Sequence, residues 1–467
     1  MVYPNALVMG YLKQTGQLTP ERRMELEHAL NVGYQRVLTF RTEGGFDWYG
    51  QPPAKTVLTA YGILMLSDMD KVYPVDRSVI EAARSLLRGR QQPDGSWQLD
   101  REMHTWHQVG GALPLTAYVA WALIDSGAPP SATRDAVRHV EANWRSANDA
   151  YVAALAALVL ATADSNQAPQ ALAHLESMAV RGKDDAHWTT GGQGIVYSRG
   201  NVADIEATAL AALALVRGGR STLLDGALTW LVRAKDPEGG WHSTQATILA
   251  IKALLEAAAK PRIEKPVAVA LRVNGEPVDK AFETITRDNA ETMQQVSIGS
   301  RLRAGDNVIE LDADVDAPLT FQVASRHHLP WDRVPKPPES PVEIETRYDR
   351  TSLHVGEDLV CDVTVRFKGQ ASFMLIVDLG IPAGFTSRAE DLEALVTGKR
   401  IDRYTLTGRQ ITLYFGQVSP GQRIEFRHRL TPRFIIRTTP PPARAYEYYN
   451  PGSSAVAPPV TLEATGK

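Results

Sequence analysis

Five times in the first half of the chain an aromatic residue sits in a short turn: Phe46 in "EGGFDWYG", Trp97 in "PDGSWQL", Trp144 in "EANWRS", Trp188 in "AHWTTGG" and Trp241 in "PEGGWHST". Successive members are 44–53 residues apart, the length of two helices with their turns, and this period marks an array of helical hairpins. Several turns lead into Ala/Leu-rich segments such as "LTAYGILML", "LTAYVAWAL", "ATALAALALV" and "STQATILAIKALL". Small apolar residues on most of their faces imply burial all round. Their partners, such as "DRSVIEAARSLLRGR", carry one apolar stripe and show Arg and Glu on the other face, as an outer helix must. Inner and outer helices in alternation predict a closed α/α toroid.

Helical spacing predicts elements near 4–14, 20–40, 56–70, 77–91, 113–126, 131–145, 149–163, 166–180, 202–217, 221–234 and 243–259. The second begins with Thr19 as N-cap, Pro20 in the first helical position and Glu21 in the first turn. The count is odd, so one helix lacks a partner. After Val267 the period changes from 3.6 to 2. In "VAVALRVNGEPV" the Asn274-Gly275 pair predicts a hairpin, and "QVSIGSRL", "NVIELDA" and "LTFQVAS" read as further strands. The Pro-rich "DRVPKPPESP" is a stiff linker. Beyond it "LVCDVTVRF", "FMLIVDLGI", "RQITLYFGQV" and "RIEFRHRLTPRF" read as strands of a β-sandwich, broken by one short helix, "RAEDLEALV". The expected fold is an α/α toroid followed by two antiparallel β-sandwich domains, divided as 1–260, 261–333, a linker at 334–341, and 342–467.

Composition narrows the function. A formal net charge of −3 leaves no basic footprint for nucleic acid. The longest apolar run, "YVAALAALVLATA", spans 13 residues, short of the roughly 20 that cross a bilayer. The single cysteine, Cys361, excludes an intrachain disulfide and a cysteine-built zinc site. In "LVCDVTV" it shares a face with Val363 and Val365, and this predicts a small core residue rather than a nucleophile.

The chain resembles the C-terminal part of the bacterial type of alpha-2-macroglobulin, a family related to the complement thioester proteins. The resemblance rests on "YPNALVMGYLKQTGQLTPE", "GYQRVLTFR", "LTAYGIL", "QQPDGSW", "VGGALPLTAYVAWAL" and "STQATILAIKALLEA" in the toroid. It continues in "HHLPWD", "VDLGIPAGF", "EDLEAL" and "ARAYEYYNP" beyond it. It implies a thioester domain with the toroid shared by terpenoid cyclases and prenyltransferases, the C-terminal half of a CUB-like domain, and a macroglobulin receptor-binding domain. It also implies an endopeptidase inhibitor, not an enzyme, that traps target proteinases through its full-length parent. An extracytoplasmic setting, periplasmic or secreted, follows from the resemblance alone, since no signal peptide is seen. No cofactor or metal is implied.

In that family the thioester joins the Cys and Gln side chains of a Cys-Gly-Glu-Gln-like motif just ahead of the position of Pro4. The motif is absent from these 467 residues and is expected upstream of Met1, as is the partner of the odd helix. In complement-like members a histidine before a Gly-Gly pair takes up the acyl group. Here "MHTWHQVGG" offers His104 first and His107 second, both slightly out of the family register, and both also fit a plain polar rim. Asp184, Asp185 and His187 are donors a metal could use, but they sit in a repeat turn and are set aside. Asp68 and Asp70 in "SDMDK" resemble the start of a cyclase acidic motif and read instead as a helix end. Tyr446, Tyr448 and Tyr449 fit either edge packing or a contact surface. Two other functions stay open: a lyase or glycosidase built on the toroid with paired acids in its mouth, and a non-covalent protein-binding module.

Overall fold

A computed structural model describes residues 2–16, 18–100, 111–219, 222–236, 239–258, 265–286, 289, 294–314, 319, 321–325, 329–333, 340–369 and 371–466. Two compact units emerge. One comprises Met1–Thr190, Ile205–Lys235 and Gln245–Val323, the other Gly191–Asp204, Asp236–Thr244 and Ala324–Lys467.

Among the described residues, eleven α-helices precede the larger sheets: α1 Val2–Gln14, α2 Pro20–Leu38, α3 Thr56–Asp70, α4 Arg77–Gly89, α5 Ala112–Asp125, α6 Pro130–Asn143, α7 Ala150–Thr162, α8 Ala168–Ser177, α9 Asn201–Arg217, α10 Thr222–Arg233 and α11 Thr244–Ala258. Two short hairpins interrupt them, β1 Arg41–Thr42 with β2 Gly45–Phe46, and β3 Val180–Arg181 with β4 Ala186–His187. Local chemistry sets the helix starts. Thr19 Oγ1 accepts the Arg22 N–H at 3.3 Å, Asp76 caps α4 through the Ser78 N–H, and Asp149 caps α7 through the Tyr151 N–H. Each satisfies a donor that the first turn leaves free.

The inner and outer roles are as the patterns predict. On α7 every residue from Ala150 to Ala161 is buried, whereas α4 buries the stripe Val79, Ile80, Ala83 and Leu87. The recurring aromatic turn has one mechanical job. The backbone N–H of Phe46 donates to Thr59 at 3.1 Å, that of Trp97 to Thr116 at 3.1 Å, and that of Trp188 to Thr208 at 3.0 Å. Each threonine lies on the following inner helix, α3, α5 or α9. The Trp97 and Trp188 indoles reach back to the carbonyls of Leu87 and Leu175 on the preceding outer helices, at 2.8 and 2.7 Å. A turn of this kind locks outer to inner helix from both sides.

The odd helix count is explained at α11. Helix α1 packs against α2 as an inner–outer pair, as α3 does with α4 and α5 with α6. Among the described residues the inner series α1, α3, α5, α7, α9, α11 has six members and the outer series five. The count therefore says nothing about a segment ahead of Met1, contrary to the expectation above.

Strands β5 Val269–Val273, β6 Glu276–Pro277 and β7 Ile309–Ala313 form a sheet in the order β6-β5-β7. Asn274 and Gly275 turn its hairpin with φ of 55° and 83°, the left-handed pair that a two-residue loop requires. The described residues of "QVSIGSRL" and "LTFQVAS" form no strand. Alternation makes a strand only where a neighbouring edge takes its ladder bonds, and Phe321 and Val323 are 68% and 54% exposed. Of the linker, only Ser340 and Pro341 are described.

The C-terminal region holds β8 Val342–Tyr348, β9 Ser352–His354, β10 Leu359–Phe367, β11 Ser372–Gly380, β12 Phe385–Ser387, α12 Ala389–Thr397, β13 Arg403–Leu406, β14 Gln410–Val418, β15 Arg423–Pro432, β16 Ile436–Thr438, β17 Ala443–Glu447, β18 Asn450–Ala457 and β19 Leu462–Thr465. Sheets β12-β15-β10-β8 and β13-β14-β11-β17-β18 enclose one apolar core, with a smaller sheet β16-β19-β9 in which β19 and β9 run parallel. On β10 the inward row is Leu359, Cys361, Val363, Val365 and Phe367.

Candidate functional site

His104 and His107 lie in 101–110, outside the described residues. The anchors of that segment are clear. Before it, Asp100 accepts the Thr56 N–H at 2.7 Å and the Thr56 hydroxyl at 3.1 Å, and Arg90 pairs with it at 3.3 Å. After it, Gly111 at φ 85° opens α5. Both anchors stand at the N-terminal ends of inner helices, where backbone N–H groups and the helix dipole favour negative charge.

The other residues singled out in the sequence are engaged structurally. Asp185 pairs with Arg233 at 2.6 Å, and the His187 ring stacks on Trp230 with centroids 4.8 Å apart. Asp70 bonds Arg77 at 2.9 Å. Tyr446 faces away from the core on β17, where Arg444 covers its ring at 4.7 Å, and Tyr448, just past the strand's end, meets Tyr449 edge-on at 4.9 Å. Cys361 is 1% exposed, and burial pushes its thiol up to about 12. A thiol held that high is not a nucleophile near neutral pH.

What sequence reasoning missed is the charge cluster at the C-terminal ends of α3, α5, α9 and α11, which Tyr3 near the start of α1 joins. The Tyr3 hydroxyl of α1 donates to Asp68 Oδ2 at 2.8 Å. Lys252 of α11 donates to the same oxygen at 2.7 Å, and Lys71 to Oδ1 at 2.7 Å. Arg217 at the end of α9 grips Asp125 of α5 with both terminal nitrogens, at 2.6 and 3.0 Å. It also reaches Glu256 of α11 at 2.9 and 2.6 Å, and the Thr162 hydroxyl of α7 at 3.1 Å. Six inner helices are thus tied together by one network. Burial alone would raise the Asp68 carboxyl, but Lys252 and Lys71 hold it down at about 2. Burial would lower the Lys252 ammonium, and Asp68 and Asp125 instead raise it. Asp68 reads in sequence as a helix end. The signal overlooked was Lys252, a lone cation in the otherwise apolar "ATILAIKALL".

These groups line a cavity of about 320 Å³ at this mouth of the toroid, with Ala6, Leu7 and Tyr11 of α1 and Leu255 of α11. A glycosidase acid must keep its proton near neutral pH. Asp68 is driven the opposite way by Lys252 and Lys71, and Asp125 and Glu256 share one guanidinium, so among the described residues no carboxyl at this mouth is shown held protonated.

Residues 1–256 match the family described as the A-macroglobulin TED domain, and residues 370–458 the A-macroglobulin receptor binding domain. The chain belongs to the alpha-2-macroglobulin family. Ovostatin from Gallus gallus is 23% identical over 483 residues, covering 97% of this chain and 32% of ovostatin. Salmonella alpha-2-macroglobulin, in a crystal structure of the protein reacted with methylamine, superposes with a TM-score of 0.66 at 17% identity, covering 99% of this chain and 29% of that one. A mutant of the Salmonella protein gives the same TM-score at 18% identity. The chain spans about a third of the length of these alpha-2-macroglobulin relatives.

Proposed function

We propose that this chain serves in an alpha-2-macroglobulin-type endopeptidase inhibitor, a proteinase trap working outside the cytoplasm, and that it supplies the thioester-domain toroid and the receptor-binding-like sandwich. The observation that carries the reading is the order on one chain of a TED-domain match at 1–256 and a receptor-binding match at 370–458. A thioester needs a cysteine in the toroid, and the one cysteine here is Cys361 in the sandwich core. We therefore assign these 467 residues a part in the trap without a thioester of their own. His104, with His107 second, is our candidate to receive an acyl group delivered from elsewhere.

Two experiments test this. After incubation with methylamine, the intact mass of the chain should be unchanged and no new thiol should appear; a stoichiometric amide adduct with thiol release would overturn the assignment that these residues hold no thioester. An antibody to the sandwich should recover, from producing cells challenged with a serine endopeptidase, activity that cleaves small peptides but spares large proteins. Recovery of the chain with no peptidase activity removes the trap reading.

A further inference from the structure

The cavity at the C-terminal mouth of the inner ring is of the size that small ligands occupy. Its wall has an apolar side, Ala6, Leu7 and Leu255, and a charged side, and the hydrogen-bonding capacity of the charged side is unequal. The carboxylates are well supplied: Asp68 accepts from Tyr3, Lys71 and Lys252, while Asp125 and Glu256 each receive two nitrogens of Arg217. The donors are not. An ammonium carries three N–H groups, yet Lys252, with its side chain 7% exposed, makes one hydrogen bond among the described residues, its contact with Asp125 being an ion pair at 3.7 Å. Tyr11 also lines the cavity, and its hydroxyl oxygen is buried with no partner among the described residues. A buried polar atom without a partner calls for a ligand or a water. The spare capacity here is for an acceptor.

We propose that this cavity binds a small carboxylate with a short apolar tail, its oxygens taking N–H from Lys252 and O–H from Tyr11 and its tail lying against Leu7 and Leu255. The mixed wall explains the preference. A cation would meet Lys252 and Lys71, and a neutral alcohol would leave part of the Lys252 capacity unused. A free short-chain acid and the C-terminus of a cleaved peptide share this chemistry. The proposal does not rest on the trap reading.

The test titrates the full chain with hexanoate, hexylammonium and hexanol by calorimetry, and with N-acetyl-alanyl-leucine as acid and as amide. Hexanoate is expected to bind at least tenfold more tightly than its ammonium and alcohol analogues. Binding of the peptide acid but not its amide would extend the source to peptide C-termini, and binding of hexanoate alone would restrict it to free acids. Tyr11→Phe should weaken hexanoate about tenfold, the loss of one bond to a charged acceptor, with no change in Tm. The paired variant Lys252→Met with Asp68→Asn removes the ammonium without stranding the carboxylate and should abolish the preference for the acid. Equal binding of the three hexyl probes, no binding at millimolar concentration, or unchanged affinity in Tyr11→Phe would overturn the proposal.

Discussion

In the toroid, Lys252 and Asp68 are buried as ions, 2.7 Å apart and joined by Tyr3 and Lys71. In the sandwich, Cys361 and His428 stand directly opposite each other on β10 and β15 and are buried as neutral groups. Burial pushes the thiol up to about 12 and the imidazole down to about 4. The difference follows from the partners available. Helix ends from all round a ring deliver opposite charges to one point, so ions can be matched; a sandwich core offers mostly aliphatic neighbours, so a titratable group there stays uncharged. The two regions should therefore answer differently to mutation and to acid.

The largest effect is expected from Lys252→Met, which leaves Asp68 buried without its main partner and should cost about 3–5 kcal/mol. Adding Asp68→Asn should recover much of that loss, since removing both charges removes the uncompensated one. Urea unfolding followed by tryptophan fluorescence reads mainly the toroid region, because eight of the nine tryptophans lie between Trp48 and Trp241 and none lies in 342–467. A double variant no more stable than the single would break the matched-ion account.

Acid should separate the regions. His428 is neutral in the folded sandwich down to about pH 4, while the unfolded chain takes up a proton near 6.5. Its contribution is thus complete above pH 6.5 and is lost as pH falls from 6.5 to about 4, by about 3 kcal/mol. Asp68 behaves as a depressed carboxylate, so the toroid keeps its contribution down to about pH 4 and loses it between there and about pH 2. Cys361 is the one thiol, and its reaction with dithiodipyridine reports opening of the sandwich. Labelling should quicken between pH 6 and 4 while tryptophan emission holds, and His428→Leu should remove the pH dependence. Simultaneous loss of both signals would sink the comparison.

Smaller effects sharpen it. Thr116→Val removes the acceptor of the buried Trp97 N–H and should destabilise the toroid by about 2 kcal/mol in the same urea assay. Thr19→Ala, at an exposed cap of an outer helix, should cost about 1 kcal/mol.

Much of this architecture was legible because its signals are local. The Thr19 cap, the Asn274-Gly275 turn and the inward face of "LVCDVTV" depend on residues a few positions apart, and the structure agrees with each. The strands expected in "QVSIGSRL" and "LTFQVAS" fail among the described residues for lack of a neighbouring edge, which no short stretch can specify. The candidate site was hidden for the same reason. Lys252 and Asp68 are separated by 184 positions and Arg217 and Asp125 by 92, so no motif spacing joins them.

The sequence by itself determined the hairpin period, the inner and outer helices, the change to strands and the family resemblance, because periodicity and capping act within one element or one repeat. Only the tertiary structure decided that "SDMDK" ends in a buried ion network, that α1 pairs with α2, and that Cys361 faces His428. Each of these depends on which distant segments a closed ring or a paired sheet brings within hydrogen-bonding reach.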